Sequence, residues 1–340
     1  MPTPRKLETT CNWTASEVRN PSDWTLRLTD ADIDEINAAL VLAKKAGDDL
    51  LDITQEDFRL PVLSKRIKSF EDQLINGCGF GLISGLPREN YDNDEMCMIY
   101  WGIGSHLGKP WPQNKHGHVL GDVTDQGRSA DDPEARGNEI GGSALDFHTD
   151  GSDLVGLLCL DSGKSGGESM VCNSVAIYNH MVEEVPELAA ELFKPQPYDF
   201  RGEQGEGGKT YYEVPVFTDH DDRIFVRYIR PYILASQRHP EAPRITEKAE
   251  EAMQYLDKLI LDEVFHAEML MQPGDMQFVN NYHVLHARRA YQDDRANGQV
   301  RHLKRLWLET EILKDRPPYF ANHVSEHWSK KKVISRMDAA

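Results

Sequence analysis

Short hydrophobic stretches bounded by turn residues recur from residue 79 onward. The stretch GFGLISGLP at 79–87 has the pattern of a strand that ends at a proline. A continuous apolar run, LVGLLCL, occupies 154–160 and is followed by a glycine turn and another short strand. Further stretches with strand-like patterns lie at 210–217, 223–229, 275–281, 284–291 and 301–313. Together these patterns predict a block of many short strands.

Helical periodicity appears mostly outside this block. Residues 30–46 are predicted to form an amphipathic helix with Asp30 or Asp32 as its N-cap, and residues 246–263 a second one. Shorter helices are predicted at 92–107, 175–185 and 187–193. Strands surrounded by helices are typical of a mainly β fold with decorating helices (α+β), and a two-sheet jelly roll fits better than a parallel sheet.

The chain shows no internal repeat and no low-complexity linker. We therefore expect a single catalytic domain over residues 1–340, with a core of about 79–312. A helical N-terminal extension would precede this core, and a short polar tail would follow it. The polar, glycine-rich segment at 121–143 is predicted to be a long loop, and a loop of that length suggests a lid over a site.

Charge and cysteine content narrow the range of possible partners and cellular locations. The net charge of −18 disfavours nucleic acids and anionic lipids as partners. We find neither a signal peptide nor an apolar stretch long enough to cross a membrane. The five cysteines are scattered and form no CxxC pair, which indicates reduced thiols and a cytoplasmic location. The sequence does not determine the oligomeric state, and a homo-oligomer is one of the alternatives.

A candidate metal site begins at LDFHTDGSDL, just before the apolar run. If a strand ends there, alternation places His148 and Asp150 on one face, although a surface turn would also explain them. A third ligand is available in PGDMQFVNNYHVLHARRAYQ, where His286 lies in the more strand-like part and His283 is the alternative. Two histidines and one carboxylate form the facial triad of non-heme Fe(II) oxygenases, but they can also bind zinc.

The late strand RHLKRLWLE distinguishes these metals. Alternation places Arg301 and Arg305 on one face, together with Leu303. Arginine pairs with carboxylates in bidentate fashion, and an inward face with two arginines is costly unless it meets anions. An Fe(II) site that uses 2-oxoglutarate needs such a cation for the far carboxylate, whereas a zinc hydrolase does not.

These motifs, in this order, resemble the TauD/TfdA family of Fe(II)/2-oxoglutarate dioxygenases. The resemblance rests on HTDGSD, GGES, PGDMQFVNNYHVLHAR and RHLKRLWL, and it covers roughly 79–312. It implies a double-stranded β-helix core of the cupin-like, jelly-roll kind. It also implies that the iron ligands are His148, Asp150 and His286.

The same resemblance implies where the organic ligands bind. Arg301, helped by the hydroxyl of Ser169, would take the far carboxylate of 2-oxoglutarate, and Arg305 would face the primary substrate. With O2 as co-substrate, the expected reaction is hydroxylation of a C–H bond in a small carboxylate or amino acid. 2-Oxoglutarate would be decarboxylated to succinate and CO2.

Further side chains in or near these motifs have predicted roles. Gln113 and Asn114 are candidate contacts of the substrate. Arg288 is interpreted as a structural ion-pair former and Trp307 as a core residue. Two other functions remain open at this point. One is a zinc hydrolase with the same triad, and the other is a non-catalytic protein that binds or senses 2-oxoglutarate on the same fold.

Overall fold

A computed structural model describes residues 4–47, 49–128, 140–204, 207–317 and 334–336. The strands of these residues are β1 Thr25–Arg27, β2 Phe80–Ser84, β3 Lys109–Pro110, β4 His118–Thr124, β5 Leu145–His148, β6 Leu154–Asp161, β7 Ser165–Gly166, β8 Ser169–Asn173, β9 Pro195–Asp199, β10 Tyr211–Pro215, β11 Phe217–His220, β12 Arg223–Val226, β13 His266–Met269, β14 Met276–Asn280, β15 Val284–Arg288, β16 Tyr291–Gln292, β17 His302–Glu309 and β18 Ile334–Arg336. The helices are α1 Asp30–Ala46, α2 Leu63–Asn76, α3 Asn93–Ser105, α4 Ser174–Glu184, α5 Pro186–Glu191, α6 Arg230–Ser236 and α7 Glu247–Ile260.

Two sheets face each other and form a jelly roll, the double-stranded β-helix. The major sheet has the order β1-β2-β14-β6-β17-β4-β18, with β3 also paired to β17, and the minor sheet has the order β13-β8-β15-β5. Side chains of both sheets meet in one buried cluster, where Val155 and Trp307 of the major sheet contact Val171 and Val284 of the minor sheet. The space between the sheets is therefore a shared interior, and this is where the candidate site lies.

Helices cover the outer faces of both sheets. Helices α1, α2 and α3 share a core with the outward side chains of the major sheet, such as Leu306 and Phe278. Helices α4, α5 and α7 share a second core with those of the minor sheet, such as Leu285. The prediction of a mainly β core decorated by helices is confirmed.

Helix α1 begins as predicted, but with a different cap. The N-cap is Thr29, whose hydroxyl accepts a hydrogen bond from the Asp32 amide at 3.3 Å. The Asp32 carboxylate in turn accepts from the Thr29 amide at 2.7 Å. The prediction of Asp30 or Asp32 as the N-cap was wrong, because the threonine one residue earlier completes a capping box with Asp32.

The predicted loop at 121–143 is partly a strand. Residues 121–124 belong to β4, which pairs with β17 on one side and with β18 on the other. The remaining part of the prediction, including the lid, mostly falls on residues 129–139, which lie outside the described residues.

Among the described residues, every helix is too short or too polar to cross a membrane. All five cysteines are free thiols, and four of them are buried.

Candidate metal centre

The two candidate histidines lie on neighbouring strands of the minor sheet. His148 is the last residue of β5, and His286 is the central residue of β15. The two strands are antiparallel, and these residues are direct partners in the register. Directly opposed residues project to the same face, so both imidazoles enter the interior side by side. Their ring centroids are 4.3 Å apart.

Asp150 completes a cluster of three side chains of the kinds that ligate metals. One ligand atom from each of His148, Asp150 and His286 lies within 4.8 Å of the others. His286 Nε2 lies 3.7 Å from Asp150 Oδ2. All three side chains are partly buried. Two imidazole nitrogens and one carboxylate oxygen at these separations are the donor set that suits non-heme Fe(II).

The local electrostatics keep this donor set ready for a cation. His148 Nδ1 donates to the carbonyl of Asp146 at 2.8 Å, so Nε2 carries the lone pair. Burial, followed by the neighbouring His286, lowers the pKa of His148 to about 4. Burial would raise the pKa of Asp150, but the charge of Arg305 and the neighbouring His286 hold this pKa well below its usual range. At neutral pH the histidine is therefore neutral and the carboxylate charged.

Strand β17 of the opposite sheet fixes the carboxylate of Asp150. Arg305 Nη1 lies 3.3 Å from Asp150 Oδ2, and the indole Nε1 of Trp307 donates to the same oxygen at 3.1 Å. The guanidinium of Arg305 also lies over the Trp307 ring, 5.1 Å from its centroid. Interpreting Trp307 as a core residue alone was incomplete: the ring packs in the core, but its N–H serves the site.

The backbone at Asp150 is held as firmly as its side chain. Its amide donates to Asn281 Oδ1 at 3.0 Å. The buried Arg227 donates through Nη1 to the carbonyl of Asp150 and, at 3.3 Å, to that of Thr149. Arg227 Nη2 is in turn anchored on the Tyr212 hydroxyl at 3.1 Å. Sequence analysis missed Arg227, since a lone arginine just after a strand carries no signal until the fold brings it to Asp150.

The alternative ligand His283 lies elsewhere. The metal-binding group found among the described residues contains His286 and not His283. His283 is buried with its Nδ1 facing the side-chain amide of Asn280 at 3.2 Å. Burial and the charge of Arg223 lower its pKa to about 3. His283 therefore belongs to the turn between β14 and β15 as a neutral core residue.

Arg301 lies just before β17 and is 5% exposed. Its Nη2 donates to the carbonyl of Gly167 at 3.4 Å, and its Nη1 is buried without a hydrogen-bond partner. Burial, followed by the charge of Arg288, lowers the pKa of Arg301 to about 10. Gly167 has a φ of +76°, and a Cβ there would lie 2.7 Å from Arg301 Nε. The GGES motif thus needs a glycine where the arginine passes.

Ser169 lies near this arginine but is already engaged. Its hydroxyl donates to Gln277 Oε1 at 2.6 Å. Across the minor sheet, Ser169 is the register partner of Arg288.

Arg288 does not form the structural ion pair that the sequence analysis predicted. Its Nη2 donates to the carbonyl of Ser143 at 2.7 Å, its guanidinium lies 4.8 Å from the Tyr291 ring centroid, and its Nε has no hydrogen-bond partner. Within the described part of the chain it forms no ion pair. The adjacent Arg289, by contrast, pairs with the carboxylate of Glu268.

The two predicted substrate contacts are buried amides with internal partners. Gln113 Oε1 accepts from Arg305 Nε at 2.8 Å, and its Nε2 donates to two backbone carbonyls. Asn114 Oδ1 accepts from the amides of His116 and His118. Gln113 therefore positions Arg305, and Asn114 shapes the turn before β4. Contact of either residue with a substrate stays a prediction.

Comparison with known proteins decides the family. The model for "Taurine catabolism dioxygenase TauD, TfdA family" matches residues 45–307, which is most of the chain. The chain belongs to the TauD/TfdA family. It is accordingly an Fe(II)/2-oxoglutarate-dependent dioxygenase, which favours this activity over the zinc hydrolase and the non-catalytic protein.

Two relatives match this TauD/TfdA protein over more than nine tenths of its length, and a third matches over a shorter part. FR-33289 synthase of Streptomyces rubellomurinus is 29% identical over 94% of each chain. The taurine hydroxylase-like protein SAT17 of Stachybotrys chartarum is 27% identical over 92% of this chain and 82% of its own. An L-ornithine/L-arginine 3-hydroxylase of Catenulispora acidiphila is 26% identical over 63% of this chain and 66% of its own.

Solved structures confirm the jelly-roll fold. An asparagine oxygenase in complex with Fe(II), hydroxyasparagine and succinate superposes with a TM-score of 0.65 at 17% identity, covering 87% of this chain and 98% of its own. The non-heme iron oxygenase OrfP, in complex with Fe, succinate and hydroxyarginine, superposes with a TM-score of 0.63 at 16% identity, covering 86% of this chain and 96% of its own.

Proposed function

We propose that this TauD/TfdA enzyme hydroxylates a C–H bond of a small, anionic, amino-acid-type substrate. The single observation that carries the proposal is the cluster of His148, Asp150 and His286 next to the positively charged Arg305. We assign the three clustered residues as the Fe(II) ligands. Fe(II) and 2-oxoglutarate supply the oxidising chemistry, in which O2 is consumed, 2-oxoglutarate becomes succinate and CO2, and one oxygen atom enters the substrate.

The protein's own residues prepare and shape the site. The Asp146 carbonyl keeps the proton of His148 on Nδ1 and so leaves Nε2 free to coordinate. Trp307 and Arg305 fix the rotation of the Asp150 carboxylate through its Oδ2. Arg301 would bind the far carboxylate of 2-oxoglutarate, and Ser169 would join it if its hydroxyl turned away from Gln277.

Arg305 supports an anionic substrate. Its Nε is held by Gln113 and its Nη1 by Asp150, so the orientation of the guanidinium is fixed. Among the described residues, no acceptor contacts Nη2, so this nitrogen is available to a carboxylate that enters the interior. Gln113 would then act on the substrate through Arg305, and Asn114 by shaping the neighbouring turn.

The printed names of the relatives support the amino-acid class. Two structural neighbours hold hydroxylated asparagine or arginine, and one sequence relative is an ornithine and arginine hydroxylase. The taurine-related relative broadens this to other small anions. We also propose a reducing, cytoplasmic compartment, which is supported by the five free thiols.

A substrate panel tests the proposal. The purified enzyme with Fe(II), 2-oxoglutarate and O2 is offered L-amino acids, the matching amines that lack the carboxylate, and taurine. We expect substrate-dependent succinate and a product heavier by one oxygen atom for at least one anionic compound, with the matching amine far slower. Equal turnover of the matching amines would remove the anionic-substrate assignment.

The cofactor assignment has its own measurement. Anaerobic addition of Fe(II) and 2-oxoglutarate should give a weak visible charge-transfer band that His148→Ala abolishes. If the wild-type protein binds iron but gives no band, 2-oxoglutarate does not chelate the metal, and the assignment of the three ligands to an oxygenase reaction fails.

A further inference from the structure

Two buried arginines lie together in the interior without a carboxylate partner. Arg288 is 7% exposed and Arg301 is 5% exposed. In the described part of the chain neither forms an ion pair, and each has a buried nitrogen without a hydrogen-bond partner, namely Nε of Arg288 and Nη1 of Arg301. Burying a charged guanidinium with an unsatisfied donor is costly, so this arrangement needs an explanation.

The two guanidiniums converge on the same aromatic ring. The central carbon of Arg288 lies 4.8 Å from the centroid of Tyr291, and that of Arg301 lies 5.2 Å from it. Two like charges this close to one ring repel each other, and the ring compensates only part of the cost. An anion that contacts both guanidiniums would remove the repulsion and fill the free donor positions.

The strand geometry connects this pair to the metal centre. Arg288 is two residues after His286 on β15, so both side chains project to the same face. Successive same-face positions are separated by about 7 Å along a strand. A dicarboxylate with one end at the metal can therefore reach the arginines with the other. Opposite Arg288 lies Ser169, which the sequence already suggested for this purpose.

We propose that Arg288 is a second arginine for the far carboxylate of 2-oxoglutarate, acting beside Arg301. This inference rests on the proposed function and adds a residue that sequence analysis had assigned to structure. The far carboxylate would lie between the two guanidiniums, near Tyr291. The neighbouring Arg289 is exposed and pairs with Glu268, so it takes no part.

The test compares Arg288→Met with Arg289→Met, the same substitution at consecutive residues. The affinity for 2-oxoglutarate is measured anaerobically with Fe(II) through the charge-transfer band. Loss of a charge-assisted contact should weaken 2-oxoglutarate binding roughly 10- to 100-fold in Arg288→Met. Arg289→Met should bind 2-oxoglutarate like the wild type, and iron affinity should be similar in all three proteins.

A second ligand separates carboxylate recognition from general damage. 2-Oxopentanoate has the same chelating end but no far carboxylate. The wild type should bind it much more weakly than 2-oxoglutarate, and Arg288→Met should reduce this preference without weakening 2-oxopentanoate itself. Arg288→Lys keeps the charge but loses the planar fork, so an intermediate affinity for 2-oxoglutarate is expected, and this variant replaces Arg288→Met if the latter does not fold.

The outcomes distinguish a failure of the proposed function from a failure of the proposed role of Arg288. If the wild type gives no band, the proposed function fails. If the wild type binds 2-oxoglutarate but its affinity is unchanged in Arg288→Met or Arg288→Lys, or if both ligands weaken equally, the role of Arg288 is overturned while the proposed function stands.

Discussion

At the scale of single residues, Asp150 is the most constrained group in the site. Its Oδ2 receives hydrogen bonds from Trp307 and Arg305, its amide is held by Asn281, and its carbonyl by Arg227. A carboxylate whose rotation and backbone are already fixed loses little freedom when a metal binds, and such supporting contacts commonly raise metal affinity 10- to 100-fold.

Trp307→Phe removes one of these contacts while keeping an aromatic ring in the core. We expect the affinity for Fe(II) to fall about 10-fold, because the carboxylate is then free to rotate. Anaerobic titration with Fe(II) measures this. Trp111→Phe is the matched control, since the Trp111 Nε1 is buried without a hydrogen-bond partner and its loss breaks no contact. Equal iron affinity in the two variants would argue against a positioning role for Trp307.

Gly167→Ala tests whether Arg301 needs the space that the glycine leaves beside it. The added methyl group would lie 2.7 Å from Arg301 Nε and displace the guanidinium, so we expect weaker binding of 2-oxoglutarate with iron binding intact. Gly298→Ala is the control, since Gly298 has a similar φ of +72° but no atom within 4 Å of the new methyl group. Both variants should lose about 1–2 kcal/mol of stability from the left-handed backbone, but 2-oxoglutarate affinity should fall only at Gly167.

At the scale of elements, the turn between β14 and β15 delivers His286 to the site. Asn280 Oδ1 accepts from the Tyr282 amide at 3.0 Å and its Nδ2 faces His283, while Asn281 reaches Asp150. The turn is buried, so it depends on neutral side chains and satisfied amides.

Protonation of His283 at low pH should destabilise this turn and so lower the free energy of unfolding. The pKa of His283 is about 3 in the folded protein, whereas that of an unfolded histidine is about 6.5. A depressed folded pKa means that this stability is complete above about pH 6.5 and is lost as the pH falls below it, by about 2 kcal/mol near pH 5. Urea unfolding should show that His283→Gln reduces the difference in stability between pH 7 and pH 5. The same acid dependence in both proteins would contradict a neutral, buried His283.

Elements with regular patterns were predictable, and elements that depend on distant partners were not. Strand β2 and helix α3 follow hydrophobic patterns that the sequence shows directly. Strand β4 was missed because it contains Gly121 and Asp122. Asp122 is tolerated in the sheet because Lys304 and His302 of β17 pair with it.

The candidate site, too, was predictable where it follows local patterns and not where it depends on distant partners. The spacing of His148 and Asp150 and the strand around His286 predicted the cluster that the structure brings together. Arg227 and the N–H of Trp307 were not found, since hydrogen bonds across two sheets leave no local pattern. Alternation along β17 could have indicated Trp307, because it shares a face with Arg305.

At the scale of the whole molecule, the proposed metal centre joins the two sheets. Its histidines belong to the minor sheet, whereas Arg305 and Trp307, which hold Asp150, belong to the major sheet. A cation bound there links both halves of the jelly roll, so its binding free energy should appear as stability of the entire domain.

Fe(II) should therefore raise the unfolding temperature under anaerobic conditions. At about 100 times its Kd, a ligand that binds only the folded state adds about 2.7 kcal/mol to the free energy of unfolding. Thermal unfolding with and without a chelator measures the shift. Asp150→Ala should lose the response, while Asp34→Ala, a substitution of an exposed carboxylate on α1, should keep it. A full response in Asp150→Ala would place the cation elsewhere.

The direct pairing of His148 with His286 has a consequence for how the protein matures. Side chains alternate along a strand, so a slip of β5 by one residue would turn one imidazole out of the interior and dissolve the donor set. Only chains with the right strand alignment can then retain the cation. Iron present during refolding would therefore select for the correct register. It stabilises molecules in which β5 is correctly aligned, whereas misaligned molecules gain no such stabilisation and can unfold and refold.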